Sequence, residues 1–374
     1  MTIYRSATTA LAVALVLVMA GPFCCFGSEG KGGPPVSEPG YDIYFGDLHT
    51  HTGYSDAYDR DSTPWDAYQA AIDAGADFMA VTDHVQFWNA YDAWIMDKEE
   101  WEDTLQAADH FTSEEFVAMA GYETWMLAGC GEVNVFNTRE FPESVNLGYR
   151  YDRLPNFYDW LKDIPGAIGQ FNHPLYVSDN FMDYDFLNDE RDASMSIIEV
   201  WNTMDSYEDS YIMALDAGWH VMPSANSDTH YSDWIANHEM RSVLLAESLT
   251  PEDLYDAMRN CRGYGTLDST LHITYTLNSA VMGSQLVADG TTEYLAEVHI
   301  WDPEGAGDEV TLVEVLSDGG EVVASIPFYS DDVTVTIPLS SDSAGYFFLR
   351  VSTVSPLDGE PGVTAWTAPV WTGR

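Results

Sequence analysis

The chain has 374 residues, 61 of them acidic and 14 basic, for a formal net charge of −47. That balance excludes nucleic acid as a partner, since binding it needs a basic stripe and no Lys/Arg cluster exists; anionic membrane surfaces are disfavoured on the same ground. Disorder is excluded as well, because 46% hydrophobic and 13% aromatic residues can fill a core, and the charge reads as a solvated acidic surface suited to high salt or to solubility outside a cell.

Residues 1–20 read as a signal peptide. Arg5 is the only charge before Glu29, Leu11 to Ala20 is an unbroken apolar run, and Val18-Met19-Ala20 fits a small-residue cleavage site. The run is shorter than the roughly 20 residues a spanning helix needs, so no transmembrane span is expected in the mature protein. Cys24 and Cys25 raise a lipid anchor, but Pro22 and Phe23 precede them where small residues belong, and anchoring stays open. Residues 21–40 form a Gly/Pro/Ser linker, and the protein is expected to be exported: extracellular, periplasmic or at the cell surface. Cys130 and Cys261 lie in the folded body, either bonded to each other or as buried, inert thiols.

From Tyr41 to about Thr270 short apolar runs alternate with helix-like segments. Strands are predicted at Ile43–Phe45, Phe78–Val81, Phe116–Ala120, Ala167–Phe171, Ile197–Trp201 and His220–Pro223. Helices are predicted over Ser62–Gly75, with Pro64 near its start, and over Pro251–Cys261. Such alternation argues for an α/β fold with parallel strands. After Leu271 the runs are all β-like: Ile273–Leu277, Tyr294–Ile300, Val310–Leu316, Val322–Ile326, Val333–Ile337 and Tyr346–Val351. These residues, 271–374, read as an antiparallel sandwich.

The chemistry sits at strand ends. His49 and His51 follow the first strand, and residues two apart in extended backbone share a face, so both imidazoles can meet one ion. Asp56 lies five residues on, within reach of a returning loop. Asp83-His84, Gly121-Tyr122-Glu123, Asn172-His173-Pro174 and Asp228-Thr229-His230 each close a further strand region. In a parallel barrel the C-terminal strand ends converge on one mouth. Any one of these elements alone is more often a hydrogen-bonded structural group, and Asp228 alone an Asx turn, but five at strand ends point to metal. His110, His220, His238, His272 and His299 lack that setting and are read as structural.

This set of motifs resembles the polymerase-and-histidinol-phosphatase (PHP) superfamily, over roughly Tyr41 to Thr270. Gly121-Tyr122-Glu123, Val133 to Thr138, Met282-Gly283 and Ala368 to Trp371 look like the branch containing carbaryl-type carbamate hydrolases. The resemblance implies a distorted (β/α)7 barrel over residues 41–270 with two or three divalent ions (Zn, Mn or Fe), followed by the small all-β domain. It implies that His49, His51 and Asp228 bind one metal, that Glu123 bridges to a second held by His173, and that Asp56, His84 and His230 complete a third. Where the family usually has a Gly-His pair, this chain has Gly131-Glu132. Glu132 either ligates, with a preference for harder ions, or leaves the second position weak.

The implied activity is hydrolysis of a small phosphoester or a carbamate or carboxylic ester by a metal-bound hydroxide. His84 or His230 would protonate the leaving group. Arg241 is the first candidate to hold a substrate anion and Arg139 the second; either could equally be a surface ion pair. Asn134 and Asn202 could orient ligands, and Tyr54, Trp88, Trp125 and Trp201 could wall an apolar pocket. The competing expectation is a non-catalytic surface protein in which metals stabilise the barrel and the β domain binds a partner or glycan.

Overall fold

The computed structural model describes residues 40–373, apart from 88–93, 126, 128–129, 143–144, 149–151, 176–179, 304–308 and 355–360. The leader, the linker up to residue 39 and Trp88 lie outside the described residues. No described helix is long and apolar enough to cross a membrane.

The first elements are β1 (Asp42–Asp47), α1 (Pro64–Asp73), β2 (Phe78–Val81), β3 (His84–Val85), α2 (Lys98–Phe111), β4 (Val117–Thr124), β5 (Glu132–Phe136) and α3 (Arg153–Lys162). Next come β6 (Ile168–Asn172), α4 (Asn180–Asp183), α5 (Asp189–Asp192), β7 (Met195–Asn202), β8 (Asp205–Ser206), α6 (Glu208–Asp216), β9 (Met222–Asn226), β10 (Arg241–Ala246), α7 (Pro251–Arg259) and β11 (Gly263–Thr266). Local chemistry sets several boundaries. Thr63 caps α1 in a capping box with Asp66, and Asp97 caps α2 in another with Glu100, each satisfying amides that the first helical turn leaves unbonded.

β1, β2, β4, β6, β7 and β9 run in one direction, while β5 and β10 run against them. The fold is α/β as expected, but the sheet is mixed, and the distorted (β/α)7 barrel is not reproduced as such. Thr124 to Glu132 is too short for the crossover of a dozen or more residues that a parallel return needs, so β5 folds straight back on β4. Nor does the sheet close. No ladder joins β9 to β10 among the described residues; instead Ser242 Oγ accepts from the Ala225 amide (3.2 Å) and donates to Asn226 Oδ1 (2.7 Å). The strand expected at His220–Pro223 starts two residues later, where Met222 enters its ladder with Ile197.

The C-terminal elements are β12 (His272–Leu277), β13 (Ala280–Val281), β14 (Glu293–Trp301), β15 (Val310–Ser317), β16 (Glu321–Ser330), β17 (Asp332–Ser340), β18 (Tyr346–Val354), β19 (Pro361–Thr367) and β20 (Val370–Trp371). β12, β13, β14 and β17 form one antiparallel sheet; β16, β15, β18 and β19 continue the large sheet through β11. Tyr275 Oη donates to Phe347 O (3.1 Å) and Tyr294 packs on the Phe347 ring, so the two layers face each other. α6 joins the C-terminal strands through Glu208, which accepts from Trp366 Nε1 (2.6 Å) and pairs with Arg350. Asp216 accepts from the Gly319 amide (2.9 Å) and Tyr346 Oη (2.8 Å). Cys130 and Cys261 are both buried and are not joined to each other by a disulfide.

Candidate metal centre

The common direction of six strands collects side chains at one end of the sheet. His49 and His51 leave β1 there, Glu123 sits near the end of β4, and His173 follows β6. Asp228 and His230 follow β9. Glu132 reaches the same end because β5 is antiparallel and begins there, paired with Asn172. The His49–His51 segment is tied to Asp228–His230 by backbone: the His51 amide donates to Thr229 O (3.1 Å) and the Asp228 amide to His49 O (2.9 Å). All nine side chains expected to ligate are thereby brought together.

Three groups emerge whose ligand atoms lie within 4.8 Å of one another: His49, His51 and Asp228; His49, Glu123 and His173; and His51, Asp56, His84 and His230. In the first, His49 Nε2 lies 3.2 Å from His51 Nε2 and 3.3 Å from Asp228 Oδ1, and His51 Nε2 lies 3.1 Å from Asp228 Oδ1. Glu123 Oε2 is 3.2 Å and 3.4 Å from the same two nitrogens. Ligands about 2.0–2.1 Å from a tetrahedral cation stand about 3.3–3.4 Å apart, so these atoms are spaced as a cation requires. The buried Asp228 Oδ1 and His84 Nδ1 make no hydrogen bond although charged or polar atoms surround them. The donor set, imidazole and carboxylate, suits Zn, Mn or Fe.

Glu123 spans two positions. Its Oε2 faces His49, His51 and His84 (3.1 Å to His84 Nδ1), while its Oε1 faces His173 Nε2 at 3.1 Å. Glu132 Oε2 lies 3.5 Å from the same His173 nitrogen. Asp56 Oδ1 lies 3.0 Å from His230 Nε2 and 3.6 Å from His84 Nε2.

Charges inside the site hold one another. Burial would push the His51 imidazole down, but the Asp228 and Glu123 carboxylates facing it raise it to about 10. His173, opposed by burial in the same way, is raised to about 9 by Glu123 first. Against the same desolvation, Asp228, Glu123 and Glu199 hold His49 well above the usual imidazole range. At His84 burial wins and the value falls to about 4. The facing histidines overcome burial at Asp56, which drops to about 2, and hold Glu123 and Asp228 well below the carboxylate range. Without metal, Glu123 and Asp228 favour charge on the His49, His51 and His173 imidazoles against burial.

Several other expected residues are placed differently. The Arg241 guanidinium donates to the backbone carbonyls of His238 (2.5 Å), Met240 (2.6 Å) and Ile235 (3.5 Å) in its own loop. Arg139 makes a bidentate, exposed pair with Asp109 (3.1 and 3.0 Å). Asn202 donates to Asp228 Oδ2 at 3.2 Å, and Asn134 accepts from Asn172, which also donates to Glu123 Oε1 at 2.7 Å. Trp125 stacks on His84, whereas Tyr54 donates to Asp103 and Trp201 stacks on Trp366, away from a pocket-wall role. His110 packs on Trp65 and Phe111, His220 pairs with Asp192, His238 with Asp233 and His299 with Asp332, while His272 stacks on Trp301.

Sequence reasoning missed Glu199 and the role of Asp83. Glu199 is fully buried and accepts from His49 Nδ1 at 2.9 Å. Asp83 accepts from Ser55 Oγ (2.6 Å), whose oxygen faces His51 Nδ1 at 3.2 Å. The signal available was a lone acidic residue inside the apolar run Ile197 to Trp201, costly to bury without partners.

Together the mixed α/β sheet and the His/Asp/Glu groups at its end suit the binding of divalent metal. No family model matches the chain, and no curated protein matches its sequence. Among solved structures it is similar to a two-domain protein containing a predicted PHP-like metal-dependent phosphoesterase from Bacteroides vulgatus ATCC 8482. That likeness has 13% identity and a TM-score of 0.47, and covers 91% of this chain and 100% of the other. It is also similar to Endonuclease Q in complex with a 27-mer duplex carrying an abasic lesion (16% identity, TM-score 0.41, 58% of this chain and 57% of that one). A lesion-specific endonuclease from Pyrococcus furiosus follows at 12% identity and TM-score 0.40, with 58% and 56% covered. The chain spans little more than half the length of these two endonucleases.

Proposed function

We propose that this chain is an exported metal-dependent hydrolase of PHP type that cleaves a small phosphoester or a carbamate or carboxylic ester. One observation carries the reading: His49 Nε2, His51 Nε2 and Asp228 Oδ1 lie 3.1–3.3 Å from one another, and Glu123 Oε2 lies 3.2 and 3.4 Å from the two nitrogens. A divalent cation held there supplies a Lewis acid and a bound water that ionises near neutral pH. Those four residues would hold the first cation, with Glu123 Oε1, His173 and Glu132 offering a second position and Asp56, His84 and His230 a third. His230, with a side chain 27% exposed against 9% for His84, is better placed to pass a proton to a leaving group. A net charge of −47 supports a small substrate over a polyanion. Export rests on the leader-like residues 1–20, and the carbamate-hydrolase branch on the Gly121–Glu123 and Val133–Thr138 motifs.

The test is metal analysis of protein produced with Zn and Mn available, followed by assay against bis-p-nitrophenyl phosphate and a 1-naphthyl carbamate. Bound metal with turnover of either substrate is expected. Absence of bound transition metal would sink the hydrolase reading, and turnover of one substrate alone would choose between phosphoester and carbamate chemistry.

A further inference from the structure

We propose that Glu199 is a positioning residue that sets the geometry of two cation positions at once, an inference that rests on the metal-hydrolase reading above. Its carboxylate is fully buried at the end of β7 and receives four donors. Oε1 accepts from His49 Nδ1 (2.9 Å) and Asn226 Nδ2 (2.8 Å). Oε2 accepts from the His173 amide (2.6 Å) and Asn202 Nδ2 (2.9 Å). A carboxylate offers about four lone-pair sites, so all are taken and Glu199 has none left for a cation.

Each donor leads to the metal cluster. The oxygen facing His49 Nδ1 can only accept, so that nitrogen carries the proton and Nε2 is the atom left for a cation beside Asp228, His51 and Glu123. His173 has φ of +24°, a left-handed backbone that is strained for an L-residue. The bond from its amide to Glu199 holds that conformation and so keeps His173 Nε2 at 3.1 Å from Glu123 Oε1. Asn202 places its Nδ2 between Glu199 Oε2 and Asp228 Oδ2, which leaves Asp228 Oδ1 for the first group. A register shift between Glu199 and Trp201 in the β7–β9 ladder makes this reach available. Residues three apart point to opposite faces of a regular strand, and the irregularity lets both Glu199 and Asn202 point inward. Glu199 therefore links groups of the first position (His49, Asp228) to one of the second (His173).

Calorimetric titration of the metal-free chain with Zn or Mn tests this. Glu199→Gln replaces one acceptor oxygen by a donor and cannot serve four donors. It is expected to weaken cation binding ~10–100-fold at both positions while the far-UV spectrum stays that of wild type. Asp77→Asn is the structural control, since Asp77 is a carboxylate that accepts from the Phe45 amide (2.7 Å) away from the cluster; it should lower Tm and leave cation affinity unchanged. Wild-type affinity in Glu199→Gln, with only a fall in Tm like that of the control, overturns the proposal. Weakening at one position alone overturns the shared role. If Glu199→Gln does not fold, Asn202→Ala is read the same way: weaker binding supports the proposal and unchanged binding overturns it. A wild-type chain that takes up no cation overturns the hydrolase reading and this inference with it.

Discussion

Asp228 Oδ1 lies 3.1 Å from Nε2 of a His51 imidazole that has no solvent exposure. Burial opposes charge on the ring, yet Asp228 and Glu123 raise it to about 10, and His173 is raised to about 9 against its own burial. Raised imidazoles stabilise the fold fully below their unfolded value of about 6.5 and lose that contribution as pH rises through the folded values. The metal-free protein should therefore lose stability between about pH 6.5 and 10, read as a falling urea midpoint in the presence of chelator. A midpoint constant or rising over that range would contradict the pairing.

The same protons must leave when a cation enters. Cation affinity is expected to rise with pH over the same window, with proton release on binding. Titration calorimetry in buffers of different ionisation enthalpy measures it; binding with no proton release would show that these imidazoles are not the ligands.

Replacing His49 and His51 together by Ala removes two of the four atoms spaced around the first position. Metal content should fall, hydrolysis should be lost, and the near-UV signal of the C-terminal aromatic core, including Tyr275, Tyr294 and Phe347, should persist. Retained turnover would refute the site.

Glu132 stands 3.5 Å from His173 Nε2, at the place where the family resemblance implies an imidazole. Glu132→His is expected to tighten Zn at the second position, because Zn favours nitrogen over the harder ions that carboxylate suits. Stoichiometry and affinity equal to wild type would separate Glu132 from that position.

Glu208 accepts from both Trp366 Nε1 and Arg350, joining α6 to the C-terminal strands. Glu208→Ala strands two donors in a partly buried contact and should cost about 1–3 kcal/mol of unfolding free energy by chemical denaturation. A change under about 0.5 kcal/mol would mean that the junction is held by apolar packing instead.

Sequence alone determined which segments place histidines and carboxylates at strand ends. His49, His51, His84, His173 and His230 each sit at or just past an apolar strand region, and period-two backbone sends His49 and His51 to one face; these are local properties. It also determined the antiparallel character of residues 271–374, since turn-separated alternating runs bury one face whatever their neighbours. Tertiary structure alone decided how the strands associate and what the polar groups face. The direction of β5 depends on a short return from β4, and that direction is what brings Glu132 to the site. Glu199 and Asn202 share a face only because the β7–β9 register slips beside them. Arg241, which follows Asp228 and His230 in sequence, donates to three carbonyls of its own loop, contacts that its spacing does not announce. Residue spacing encodes which face a side chain takes in regular backbone. It does not encode register shifts, strand direction or the partners that long-range packing supplies, and those settled the rest of this centre.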